Sequence, residues 1–66
     1  MRVTLNGESV EVATTTTLDE VVDSLGIEQR GVAVSLDREV VPRSQWSATL
    51  VHDGASIEVL AAAAGG

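Results

Sequence analysis

Only one stretch of this chain repeats apolar residues at helical spacing, and that limit decides what the remaining residues must build. Leu18, Val21, Val22 and Leu25 stand at i, i+3, i+4 and i+7 and predict one amphipathic helix. Thr17 with Glu20 three residues on has the form of a capping box, in which each side chain satisfies a backbone donor at the helix start. The helix is therefore expected to begin at Leu18. Asp19, Glu20 and Asp23 face away from the stripe, and two of them suit the positive helix end. Gly26 supplies a left-handed residue to stop it. Two valines in so short a helix lower its intrinsic propensity, so its stability must come from docking the stripe onto a sheet.

The strands for that sheet are legible on both sides of the helix. Val3 and Leu5 alternate with polar neighbours, Asn6-Gly7 comes next, and Val10 and Val12 alternate again. Asn-Gly readily adopts the positive φ angles of a tight hairpin turn, so strands are predicted near residues 2–6 and 8–13. Val32-Ala33-Val34-Ser35-Leu36 is a third extended run, Asp37-Arg38 a turn, and Glu39-Val40-Val41 a short strand that Pro42 confines to an edge or an end. Residues 43–46 predict one turn of 3₁₀ helix and 48–51 a short strand. His52-Asp53-Gly54 is turn chemistry, and residues 56–60 form a last strand with Ile57 and Val59 on one face.

One helical stripe covers one face of one sheet. The economical solution is an α+β, ubiquitin-like β-grasp: a mixed sheet of four to five strands with a single main helix across it. The expected organisation is a domain over residues 1–60 and a flexible C-terminal tail over 61–66. In a β-grasp the last strand lies inside the sheet beside the first, so the tail leaves from a rigid element.

Composition narrows the function. A 66-residue chain makes one small domain. Without cysteine it has no disulfide framework and no Cys-based zinc site, which fits a reducing, cytoplasmic setting. No apolar run approaches the roughly 20 residues of a membrane span. Ten acidic against four basic residues, a net charge of −6, oppose a grip on nucleic acid and favour a basic protein partner. His52 is the one histidine and sits in a turn; no metal site is expected. The carboxylates are spread over turns and exposed faces, where nothing perturbs them enough for acid–base work. Glycine-rich phosphate loops are missing, so the chain itself is expected to bind no ATP. No catalytic residue is assigned.

Trp46 and Leu60 are the candidates for partner contact. Trp46, the single aromatic residue, is expected to plug one end of the core with its indole N–H at the surface; with Arg43 it is also a candidate partner contact. Leu60 alternates with Ile57 and Val59, falls on the face opposite the helix, and is the better interface candidate.

The chemistry is placed at the end of the chain, AAAAGG. Termini are commonly frayed, yet Gly65 and Gly66 without Cβ pass where a side chain would clash, with Ala64 behind them. A free α-carboxylate is an anion at neutral pH, ready to attack an activated phosphate. Attack on the α-phosphate of ATP would give an acyl adenylate, and a sulfur donor replacing AMP would leave a thiocarboxylate. The chain would then be a carrier, and its partner the enzyme.

Over essentially its whole length the sequence resembles the ThiS family of sulfur carriers in thiamine-thiazole biosynthesis. The matching pieces are Leu5-Asn6-Gly7-Glu8, the helix from Leu18 to Gly26, the run Val34-Ser35-Leu36-Asp37-Arg38-Glu39-Val40-Val41-Pro42-Arg43-Ser44-Gln45-Trp46, Asp53-Gly54, and Gly65-Gly66. Val41-Pro42-Arg43-Ser44-x-Trp46 is the most specific. The resemblance implies a β-grasp fold and adenylation of Gly66 by a ThiF-type enzyme that uses ATP and magnesium. It further implies a sulfur donor protein and delivery of sulfur to a ThiG-type thiazole synthase. Ala61 to Ala64 replace the bulkier residues often found before the glycines, and Asp37-Arg38 stands where many members carry Asn-Gly. The alternatives are the small subunit of molybdopterin synthase or a carrier for another sulfur metabolite, and, from another class, a ubiquitin-like protein modifier or a plain interaction domain.

Overall fold

The computed structural model describes residues 1–28 and 30–61. The chain opens with β1 (Arg2–Leu5) and β2 (Glu8–Glu11), joined by Asn6 at φ 50° and Gly7 at φ 84°. These are the angles the Asn-Gly turn predicts. Arg2 pairs with Glu11 and Leu5 with Glu8 in an antiparallel ladder. The pairing continues past the named strands, because the Met1 ammonium donates to the Val12 carbonyl at 2.8 Å and Val12 N–H donates back at 2.9 Å.

Helix α1 (Leu18–Ser24) starts at the expected residue. Thr17 is its N-cap, the capping box forms, and Glu20 Oε1 accepts the Thr17 N–H at 2.9 Å. Leu18, Val21 and Val22 are buried against the sheet. Leu25 departs from the stripe. It has become the C-cap, where the chain turns away at Gly26 (φ 70°), and it is 37% exposed.

Strands β3 (Val32–Leu36) and β4 (Glu39–Val41) form a second hairpin whose turn residues, Asp37 (φ 51°) and Arg38 (φ 72°), both take the left-handed conformation without glycine. Pro42 ends β4, which lies at a sheet edge as its proline requires. The 3₁₀ segment then runs over Arg43–Ala48, longer than the single turn expected. A strand over residues 48–51 does not form. Thr49 donates its N–H back to Trp46 O, its carbonyl accepts Leu18 N–H, and Val51 N–H bonds Thr16 O. Those bonds tie the segment to the residues leading into α1, with an isolated bridge between Thr17 and Leu50 in place of a ladder.

Strand β5 (Ser56–Ala61) closes the sheet in the order β2-β1-β5-β3-β4. It is parallel to β1, with Leu5 opposite Ile57, and antiparallel to β3, with Leu36 opposite Ile57 and Val32 opposite Ala61. The last strand is thus central, and it runs one residue beyond the expected Leu60.

The core lies between sheet and helix and combines Val3, Leu5, Val34, Ile57 and Val59 with the α1 stripe, Val51, Ala55 and Trp46. Trp46 is the largest fully buried side chain, only 1% exposed. Its indole N–H does not reach the surface as expected: it donates to Val41 O at 2.8 Å, satisfied by the end of β4.

Candidate functional site: the end of the central strand

Because β5 carries the chain toward its C-terminus, every bond that holds β5 also sets the direction in which the chain leaves it. At its start, Thr4 N–H bonds Ala55 O at 2.8 Å and Asn6 N–H bonds Ile57 O at 2.9 Å. On the other side, Asp37 N–H donates to Ser56 O at 2.8 Å while Asp37 Oδ1 accepts the Ser56 N–H at 3.0 Å. Asp37 Oδ2 also meets His52 Nε2 at 2.5 Å, and His52 Nδ1 lies 3.0 Å from Asp53 O.

That pair shifts both groups. The Ser56 N–H, and after it His52, hold the Asp37 carboxyl below its ordinary range; Asp37, and after it the Asp53 carbonyl, hold the His52 imidazole above its own. Both side chains are about half exposed, and the pair pins two turns together. Among the described residues, no three His, Cys, Asp or Glu side chains come together to hold a metal ion.

Alternation along β5 sends Ile57 and Val59 into the core and Leu60 outward, where it is 67% exposed. Leu60 lies opposite Ala33, and Glu58 opposite Ser35, whose other neighbour is Val40. Val40 is 75% exposed. The face away from α1 therefore presents Leu60, Ala33 and Val40 with the acidic Glu58 among them. Val40 was not singled out from the sequence, although it alternates with the half-buried Val41 and the same period-two argument finds it.

The three candidate contacts do not share one surface. Leu60 is on this open face. Trp46 is inside the core, 1% exposed, with its indole N–H bonded to Val41 O. Arg43 is exposed and lines an open cleft of about 460 Å³ with Asp19, Ser44, Trp46 and Ser47, beside the start of α1. Gly66, Gly65 and Ala64 lie outside the described residues.

A five-stranded mixed sheet with a central parallel β1–β5 pair, one covering helix and a 3₁₀ segment before the last strand defines a ubiquitin-like β-grasp domain. Comparison with known proteins narrows the class. The family model described as the ThiS family matches residues 3–66, and the chain belongs to that family of carriers. Over its full length it is 32% identical to the whole of the sulfur carrier protein ThiS of Escherichia coli K12. It is 33% identical over 66 residues to a thiazole synthase of Paramagnetospirillum magneticum, of which it spans only 20%. In structure it is similar to the crystal structure of a thiamine biosynthesis protein (ThiS) from Geobacter metallireducens, with a TM-score of 0.82, 35% identity and full coverage of both chains. The solution structure of a thiamine biosynthesis protein from the same organism gives a TM-score of 0.81, again at 35% identity, covering this chain fully and 88% of the other. No described helix is long and apolar enough to cross a membrane.

Proposed function

We propose that this chain is a cytoplasmic sulfur carrier of thiazole formation in which the carboxylate of Gly66 is the group that reacts. The observation that carries the assignment is the central position of β5, which leads directly from a strand bonded on both sides into the sequence AAAAGG. A carboxylate oxygen of Gly66 attacks the α-phosphorus of ATP in a ThiF-type partner, which holds the magnesium. The bond to the β-phosphate breaks and pyrophosphate leaves. A sulfur nucleophile at the sulfide oxidation level, presented by a donor protein, adds to the acyl carbon, and AMP departs with the bonding pair. The resulting thiocarboxylate delivers its sulfur to a ThiG-type thiazole synthase. Ala64 and Gly65 thread the partner's channel because they bring little or no side chain into it.

The likeness to part of a thiazole synthase is consistent with carrier and synthase acting together. Leu60, with Ala33 and Val40, supplies the apolar face for docking, and the net charge of −6 suits a basic rim on the enzyme. Arg43 is a second, separate contact beside α1. Deletion of Gly65 and Gly66 tests the assignment: a carrier loses all adenylation while its fold and docking remain. Unchanged activity after that deletion would instead mark a plain interaction domain, and an isopeptide link from Gly66 to a target lysine would mark a protein modifier.

A further inference from the structure

Asn6 does more than its turn requires. A two-residue hairpin turn of this kind accepts Gly or Asp at its first position as readily as Asn, and Asn6 at φ 50° meets that demand with its backbone alone. Its side chain is engaged elsewhere, 53 residues away in the chain. Oδ1 accepts the Val59 N–H at 2.8 Å and Nδ2 donates to Val59 O at 3.3 Å.

The position of that contact gives it meaning. Backbone pairing of β1 with β5 ends at Leu5 opposite Ile57, with Asn6 N–H reaching Ile57 O as its final rung. There β1 turns away into β2. The next residue of β5 on that side is Val59, and the Asn6 amide supplies both the acceptor and the donor that another strand residue would have supplied. Beyond it, Leu60 and Ala61 are paired with Ala33 and Val32 of β3.

We infer that Asn6 is a positioning residue for the C-terminal segment, its side-chain amide standing in for a missing strand residue and fixing Val59 as the last point held from the β1 side. This rests on the carrier function proposed above and deepens it. From Val59 to Gly66 is seven residues, a reach of at most about 25 Å. Without the hold from Asn6 the end of β5 is gripped by β3 alone, so the point from which the chain continues toward the reacting carboxylate is less firmly fixed, and misplacement there by about an ångström lowers rate steeply. The chemistry of the partner is unaltered; the residue sets the line along which the terminus is presented.

Asn6→Gly tests this, because glycine keeps the left-handed turn and removes the amide. Two readouts are made on the full chain: amide hydrogen exchange of Val59, and steady-state pyrophosphate release by the adenylating enzyme at varied carrier concentration. Loss of both bonds should speed Val59 exchange by about tenfold or more, with Ile57 and Val34 unchanged. Adenylation should lose about three- to tenfold in kcat while KM stays within about twofold, since positioning and not docking is altered. Wild-type kinetics alongside faster Val59 exchange would make the contact merely structural and overturn the inference. Unchanged exchange would overturn it too. If Asn6→Gly does not fold, Asn6→Asp replaces it: the carboxylate still accepts from Val59 N–H but turns an acceptor toward Val59 O, so Val59 exchange should change little while kcat still falls, and wild-type kcat would overturn the inference. Wild-type protein that is never adenylated defeats the carrier function instead, and exchange at Val59 then decides the clamp alone, faster exchange supporting it and equal exchange overturning it.

Discussion

Trp46 offers the sharpest test of how this small domain is held together. A 66-residue domain at ordinary stability per residue has about 3–10 kcal/mol in total. Trp46 is 1% exposed and touches the core shared by α1 and the sheet, and its N–H satisfies Val41 O at 2.8 Å. Trp46→Ala removes the ring, at about 3–5 kcal/mol for such truncations, and unpairs the carbonyl for about 1 kcal/mol more at a half-buried site that water can reach. The sum, about 4–6 kcal/mol, is comparable with the whole stability. Trp46→Phe keeps an aromatic ring in place and loses the hydrogen bond and part of the contact, about 1–2 kcal/mol. Urea unfolding followed by far-ultraviolet circular dichroism measures both, since the variants lack the single fluorophore. The midpoint should fall in that order with an unchanged slope for Trp46→Phe, and Trp46→Ala should be substantially unfolded before denaturant is added. A loss below about 1 kcal/mol for Trp46→Ala would refute a buried, hydrogen-bonded indole as the plug of this core. Trp46→Phe, still folded, should bind the adenylating enzyme as tightly as wild type; a large loss there would restore the indole to the interface.

Local geometry sets three further outcomes. The Asp37–His52 pair stabilises through a raised histidine and a lowered aspartate. The histidine contribution is complete below its ordinary 6.5 and disappears as pH rises through its raised folded value, while the aspartate contribution is present above its ordinary 3.8 and disappears as pH falls through its lowered folded value. Wild type should therefore exceed His52→Gln most between those values, the gap closing toward alkaline pH; urea midpoints across pH check this, and a gap that widened in alkali would contradict it. Arg38→Gly relieves a non-glycine residue at φ 72° and should add about 1 kcal/mol, raising Tm by about 4–8 °C in a calorimetric scan. Leu60→Ser leaves stability within about 0.5 kcal/mol because the side chain is already 67% exposed, yet should weaken docking to the adenylating enzyme by about tenfold or more in a titration.

The parts of the structure legible in the sequence are those written in neighbouring residues. Thr17 and Glu20 mark the helix start three positions apart, Asn6-Gly7 marks its turn, and Pro42 assigns β4 to an edge. The central place of β5 was legible as well, but only through the β-grasp arrangement that the single helical stripe pointed to, in which the last strand lies inside the sheet beside the first. Contacts between residues distant in the chain were not. Asn6 reads as turn chemistry, and nothing local announces that its amide reaches Val59. His52 reads as an exposed turn residue, and its bond to Asp37 exists only once two turns are brought to the same end of β5. Residues 48–51 have strand-like composition, but the bonds of Thr49 and Val51 to Trp46, Leu18 and Thr16 take them out of the sheet. For the same reason the partner of the Trp46 indole could not be read: Val41 is five residues away, and a 3₁₀ turn is needed to bring its carbonyl there.

If β5 presents a carboxylate that exchanges oxygen for sulfur, the exchange is measurable as mass. Intact-protein mass spectrometry after incubation with the adenylating enzyme, ATP, magnesium and a sulfur donor reads it directly. The carrier function predicts a gain equal to one oxygen replaced by one sulfur, confined by fragmentation to Gly66 and dependent on ATP. A mass unchanged while the partner demonstrably adenylates another carrier, or a sulfur found anywhere other than Gly66, would contradict it.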